Sequence, residues 1–384
     1  MKIKSFLISF IIGIFIFACK PTAAPTPTGF TPQVNLDPTK VPTRTYTPFL
    51  PQQTTQAPAT PTLIPTFTPT FTATLPPRIT LLFTGVIVPA RCVQAAIDAR
   101  GDHHYLYDEV RHLIQAADLA VGTLNATISD YPPRTGCVVT YVLVGGSQNA
   151  DALAEAGFDV MSVATNHIKN CGIGDCGNRA FFDTLDNLRR VGIIPVGAGE
   201  NLAQAMQPVV ITIGGVRFGI VSLGMVEPMA FASQEEPGIA VLDDENLAAA
   251  IQSARQVADV VIAMPHWGPE DSPDPNEFQL HFAQTIVDAG ADLVVGNHTH
   301  VVQAIQQIKG VDVFYGLGNF VFDQNWDLAH QQGVILQVTF EGSKYVGSEL
   351  IPIHVDFDGT VHLADDEEAR QILARIEQAS DKLK

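Results

Sequence analysis

Two histidines one residue apart, His298 and His300, follow the apolar run Asp292-Leu293-Val294-Val295-Gly296. Neutral imidazole is a good ligand for zinc, iron, nickel or copper. In an extended segment, residues two apart point to the same side, so the pair is expected to aim both rings at one point. Solvated loop histidines are the bland alternative, and the rest of the chain decides between the two. His167 follows the apolar run 159–164 through Thr165 and Asn166, and His266 follows residues 259–264 and Pro265. Three apolar runs thus end in imidazole. That repetition favours one shared site over four unrelated side chains.

The elements that must hold these residues are legible from periodicity. Residues 79–85, 119–124, 159–164 and 259–264 read as buried strands, and 138–144 as a further short one. Residues 209–213 and 216–223 flank Gly214-Gly215, a hairpin signal. Stripes with helical spacing cover 105–116, 151–156, 179–191, 247–258 and the stretch bearing Phe278, Phe282, Ile286 and Ala289. Residues 86–104 read as a polar loop containing Cys92. Strand-like runs follow at 301–305, 311–315, 334–340 and 345–357, and a charged helix spans roughly 365–379. Alternating strands and helices followed by strands imply two packed sheets with helices outside, an α/β class. Ligands of open α/β sheets bind beyond the carboxyl ends of strands, where these histidines fall.

The chain has 384 residues and a formal net charge of −18, which argues against nucleic acid and anionic membrane surfaces as partners. Met1-Lys2-Ile3-Lys4 and the apolar run 5–18 read as a secretory signal too short for a permanent span. Ile16-Phe17-Ala18-Cys19 resembles a lipobox, so residues 1–19 are assigned as a lipoprotein-type signal with Cys19 as the lipidation site. Cleavage and secretion without a lipid is the alternative. Both place the protein outside the cytoplasm. Residues 20–77 hold fourteen of the 26 prolines, interleaved with threonine, and are expected to be a disordered tether. At about 3.1 Å per residue it reaches up to roughly 180 Å. The remaining cysteines are even in number, which in an oxidising compartment suggests Cys171–Cys176 and Cys92–Cys137 disulfides. Three pairings are possible, and a zinc site is the rival without a second matching pair.

With Asn166-His167, His266-Trp267-Gly268, Gly296-x-His298-x-His300 and Tyr315-x-Leu317-Gly318-Asn319-Phe320 in order, the chain resembles the CapA family of capsule and poly-γ-glutamate biosynthesis proteins. The resemblance implies an α/β/β/α sandwich of the metallo-dependent phosphatase type over residues 78–362, followed by a C-terminal helix in 363–384. It implies a metal centre at the strand ends and work on an anionic surface polymer or its synthesis machinery. Three positions depart from the family. Val86 stands where the family has aspartate, Asn125 where it has glutamate and Asn170 where it has aspartate.

Two close dications need anionic ligands, so a second ion is expected to be weak or absent. His266, His298 and His300, completed by Asn166 or His167, are the expected ligands of one zinc, manganese or iron ion. His167 and Glu270 are the candidate catalytic acid and base, while Trp267 either stacks on a ligand or packs. The leading reading is a lipid-anchored, extracytoplasmic protein of surface-polymer synthesis, release or anchoring with a single-metal site of hydrolase type. A non-catalytic polymer-binding protein and a metal-dependent phosphodiesterase are its rivals.

Overall fold

A computed structural model of the chain describes residues 76–171, 176–226 and 230–384. The signal, Cys19 and all but the last two residues of the tether lie outside them.

Strand Arg78–Ile87 is built by alternation. Ile79, Leu81 and Phe83 face one apolar cluster, while Leu82 faces another. It is a central strand of an eight-stranded sheet with the order Val361–Leu363, Lys344–Val355, Gln332–Glu341, Arg78–Ile87, Leu119–Leu124, Val160–Ser162, Ile194–Val196. Asn319–Val321 also pairs with Arg78–Ile87, in parallel. A second sheet has six strands in the order Ile305–Ile308, Val311–Phe314, Leu293–Val295, Val260–His266, Val216–Gly224, Val209–Ile213.

The two sheets share one apolar layer. Phe83, Val121 and Leu336 of the first meet Phe218, Ile262 and Val295 of the second. Ser162 and Ser222 hydrogen-bond across that layer at 2.7 Å. On the far side of the first sheet, helices Arg91–Arg100, Gln148–Ala156 and Cys176–Arg190 bury Val93, Leu153 and Phe181. On the far side of the second, Asp244–Val257 and Glu277–Ala289 bury Leu247, Ile251, Phe282 and Ile286. The layers therefore run α/β/β/α, the order implied by the family resemblance.

Caps set the helix that leads to the histidine pair. Asn276 and Gln279 form a reciprocal capping box at its start, and Gly290 ends it in the left-handed region. The hairpin at Gly214-Gly215 is as expected. Elsewhere the sequence pattern misleads. The polar loop after the first strand contains the helix Arg91–Arg100, and the helix expected over 105–116 is a short turn of helix, Tyr105–Tyr107, plus Arg111–Ala116. The strand expected over 138–144 shrinks to Val144–Gly145, and the one at 301–305 begins only at Ile305. Residues 138, 139 and 141 are apolar but exposed, so their pattern reflects a loop surface and not a sheet face.

Cys92 and Cys137 form a disulfide. Cys171 is also disulfide-bonded; the side chain of Cys176, its expected partner, lies outside the described residues. Among the described residues, no helix is long and apolar enough to cross a membrane.

Candidate metal centre

Parallel strands of both sheets end on the same side of the sandwich. Their tips are stitched together by polar side chains buried among them. Asn297 donates from Nδ2 to Thr123 Oγ1 at 2.8 Å, joining the tip of the second sheet to that of the first. His266 Nε2 lies 2.9 Å from Asn166 Oδ1 and 3.2 Å from His298 Nδ1. His300 Nδ1 lies 2.8 Å from Asn319 Oδ1. Asn319 is held in turn, because its Nδ2 donates to Gln324 Oε1 and to the His330 carbonyl.

The close approach of the chains depends on glycine. A Cβ on Gly296 would sit 2.3 Å from the Tyr315 carbonyl oxygen and 2.4 Å from Trp267 Nε1. The histidine pair does not sit in an extended segment. Strand Leu293–Val295 has ended before it, and His298 and His300 have φ of 102° and 61°. These left-handed conformations are costly for residues with a Cβ and collect at functional sites. The alternation expected from an extended pair is therefore not what aims the rings. Their centroids are 6.0 Å apart, against 4.8 Å for His266 and His298.

Burial fixes the charge state. Desolvation lowers His266 well below its ordinary value, lowers His298 to about 3, and lowers His167 and His300 to about 4. All four are neutral at pH 7, the form that ligates metals.

The donor and acceptor roles at His266 Nε2 depend on the tautomers of two rings. A neutral ring carries one proton, so a protonated Nε2 would share it between Asn166 Oδ1 and an unprotonated His298 Nδ1. His266 Nδ1, His167 Nδ1, Asn297 Oδ1 and Asn125 Nδ2 are moreover buried without partners. An ion between Asn166 Oδ1, His266 Nε2 and His298 Nδ1 would take a lone pair from each. Ligand atoms about 2.1 Å from one ion are about 3.0–3.4 Å apart for octahedral to tetrahedral angles, close to the observed 2.9 and 3.2 Å. His300 Nδ1 is engaged by Asn319, which orients the ring and leaves Nε2 as the nitrogen that would ligate. Among the described residues, no three His, Cys, Asp or Glu side chains are placed to share one ion. The site thus fits two imidazoles and an amide oxygen, and it does not fit two ions.

The departed family positions explain that poverty. Val86 is packed into the apolar layer under the first sheet's helices. Asn125 accepts the His167 backbone N–H at 3.1 Å through Oδ1, so it positions that histidine. Asn170, half-buried, donates its backbone N–H to the His167 carbonyl in a turn. Glu270 is partly exposed, with Oε1 4.0 Å from His298 Nε2. Trp267 is fully buried, donates to the Tyr315 carbonyl and stacks on Tyr315, so it packs and does not face a ligand.

Asn297 and Asn319 lie inside the quoted motifs but are not among the expected site residues. Arg91, which lines the adjoining cleft and is paired with Asp323, is likewise not among them. His330 is buried and clasped between Asp327 and Asp271.

Residues 80–324, which carry every one of these strand tips, match a family model described as Bacterial capsule synthesis protein PGA_cap. The chain is 29% identical over 255 residues to the PGA biosynthesis protein CapA of Bacillus subtilis (strain 168), covering 66% of each chain. It is 31% identical over 258 residues to the capsule biosynthesis protein CapA of Bacillus anthracis, covering 65% of this chain and 61% of that one. It therefore spans just under two thirds of these relatives' lengths. Among solved structures, the NAD nucleotidase (NadN) of Haemophilus influenzae aligns over 79% of this chain and 56% of that chain, at 13% identity and a TM-score of 0.45. The four ordered motifs and the match across most of the folded part agree: the chain belongs to the bacterial capsule synthesis protein PGA_cap family.

Proposed function

We propose that this protein acts outside the cytoplasm, tethered to the membrane through Cys19, in the synthesis, release or anchoring of a cell-surface polymer of the capsule or poly-γ-glutamate kind. Family membership and the names of the Bacillus relatives support the polymer. The observation that supports a chemical role is the convergence of Asn166 Oδ1 and His298 Nδ1 on His266 Nε2, all three buried. Asn166, His266 and His298 would hold one zinc, manganese or iron ion, with His300 beside them. Such an ion polarises a carbonyl or phosphoryl oxygen when bound.

The chain's own residues do the rest. Asn125 fixes the backbone of His167, and the neutral His167 ring lines the cleft where it can donate a hydrogen bond to a leaving atom. Glu270, at the rim beside His298, is placed to accept one. With no carboxylate ligand nothing would offset the charge of a second dication, and hydrolysis is expected to be slow.

A second reading, a polymer-binding protein without catalysis, is favoured by Val86 in the core and by the lack of a three-ligand cluster among the described residues. Elemental analysis of the purified protein separates the two. The first expects about one bound transition ion per chain, lost in His298→Ala. Absence of any retained ion leaves the second.

A further inference from the structure

We propose that the Cys92–Cys137 disulfide is a thiol-exchange site, and that its reduction by a dithiol unlatches residues 131–142, a strap that walls one side of the imidazole cleft. This rests on the reading of that cleft as the working site and names how access to it is regulated.

The ends of the strap are fixed by pairing. Strands Thr127–Ile128 and Val144–Gly145 run side by side, with Thr127 N donating to the Leu143 carbonyl at 2.9 Å and Ser129 N to the Gly145 carbonyl at 3.0 Å. Between them the chain runs as an irregular loop. Every residue from 135 to 141 is exposed or half-exposed, with Tyr141 at 79% and Val139 at 99%. Burial of apolar surface therefore does little to hold this span down.

What holds it is one helix. Arg91–Arg100 ties the strap at three points: Asp98 pairs with Arg134, Cys92 is joined to Cys137, and Arg91 Nη1 donates to the Thr140 carbonyl at 3.0 Å. The helix is itself anchored, because Asp323 pairs with Arg91 and accepts the Cys92 N–H at 3.0 Å. The Arg134–Asp98 pair is solvent-exposed and therefore weak. Of the three ties the disulfide is the covalent one, and the other two are too few to offset the entropy of an unpacked loop. The strap's inner side is the site. Val139, Thr140 and Tyr141 line the cleft of about 530 Å³ together with His167 and His300, and the Tyr141 backbone faces the His167 ring. Release of the strap removes that wall and turns a pocket into a groove open to a polymer from the side.

Access suits exchange. Cys137 is exposed and Cys92 half-buried, so an attacking thiolate reaches the Cys137 sulfur first. The bond between the two cysteine sulfurs breaks, a mixed disulfide forms at Cys137, and Cys92 leaves as a thiolate that takes up a proton. The second thiol of the donor gives up its proton and displaces Cys137, which is protonated in turn. Two electrons and two protons have then passed to the two cysteines, and the dithiol has become a disulfide. Exposed disulfides are the labile ones.

Trypsin cleavage after Arg134 and chymotrypsin cleavage after Tyr141 report on the strap, and diethylpyrocarbonate reports on His167. The full chain is compared in three forms: oxidised, treated with dithiothreitol and its alkylated cysteines mapped, and as the Cys92→Ser/Cys137→Ser variant, which leaves Cys171 untouched. The disulfide is expected to be reduced in the folded protein. Cleavage at both positions is expected to be at least about tenfold faster in the treated chain and the variant, because local opening sets the rate. His167 should be modified faster in both, with far-UV circular dichroism unchanged. Where the variant does not fold, the treated chain decides. A disulfide that resists dithiothreitol, unchanged cleavage or unchanged His167 reactivity once it is open, or loss of the whole fold on reduction overturns the proposal. None of these readouts needs a bound ion. Elemental analysis tests the metal site separately, and its failure leaves the strap result standing.

Discussion

Four neutral imidazoles are kept uncharged by burial, and this makes the site a liability in acid. Each has a folded value below its unfolded one, so the unfolded chain binds the additional protons. The corresponding stability is fully present above about pH 6.5 and is lost as pH falls from there through about 4, by up to about 1.4 kcal/mol per pH unit for each imidazole. Denaturant unfolding at pH 7.5 and at pH 4.5 should show a clear loss in the acid sample. Equal stability would mean that the rings are not buried neutral. The identities of these residues were readable in the sequence, because each imidazole follows an apolar run. Their hydrogen-bond partners were harder to see. Asn125, Asn297 and Asn319 are ordinary loop amides until the two sheets come together and bring residues 174 positions apart, Thr123 and Asn297, to within 2.8 Å.

At the scale of elements, close backbone approach decides where the rings stand. Gly296→Ala would drive a methyl group into Tyr315 and Trp267, and neither carbonyl nor indole can move without breaking their 2.9 Å hydrogen bond. A loss of about 3 kcal/mol is expected in thermal or urea unfolding. A near-neutral change would show that this tip is more pliant than its packing implies. Long apolar strands and capped helices announced themselves in the sequence, as at Leu119–Leu124 and Glu277–Ala289. Helix Arg91–Arg100 did not, because Val93 and Ile97 are its main inward residues and its flanks look like loop. Two-residue strands such as Ala198–Gly199 and Gly238–Ile239 carry no period at all and exist through pairing with each other. The left-handed turn at His298 and His300 was equally hidden, since nothing local requires it.

For the whole molecule, the layered sandwich followed from the alternation of strand and helix patterns together with the ordered motifs. Location rests on the amino-terminal residues. Cys19→Ser is expected to move the protein from the membrane fraction to the soluble extracytoplasmic fraction. Unchanged fractionation would argue against lipidation at that residue. The central claim is that one cation belongs between the two sheets, at Asn166, His266 and His298. Anomalous diffraction from crystals soaked in manganese or zinc measures it most directly. A single peak about 2.0–2.3 Å from Asn166 Oδ1, His266 Nε2 and His298 Nδ1 is the expected result. No peak there, or a pair of peaks sharing the site, would contradict it.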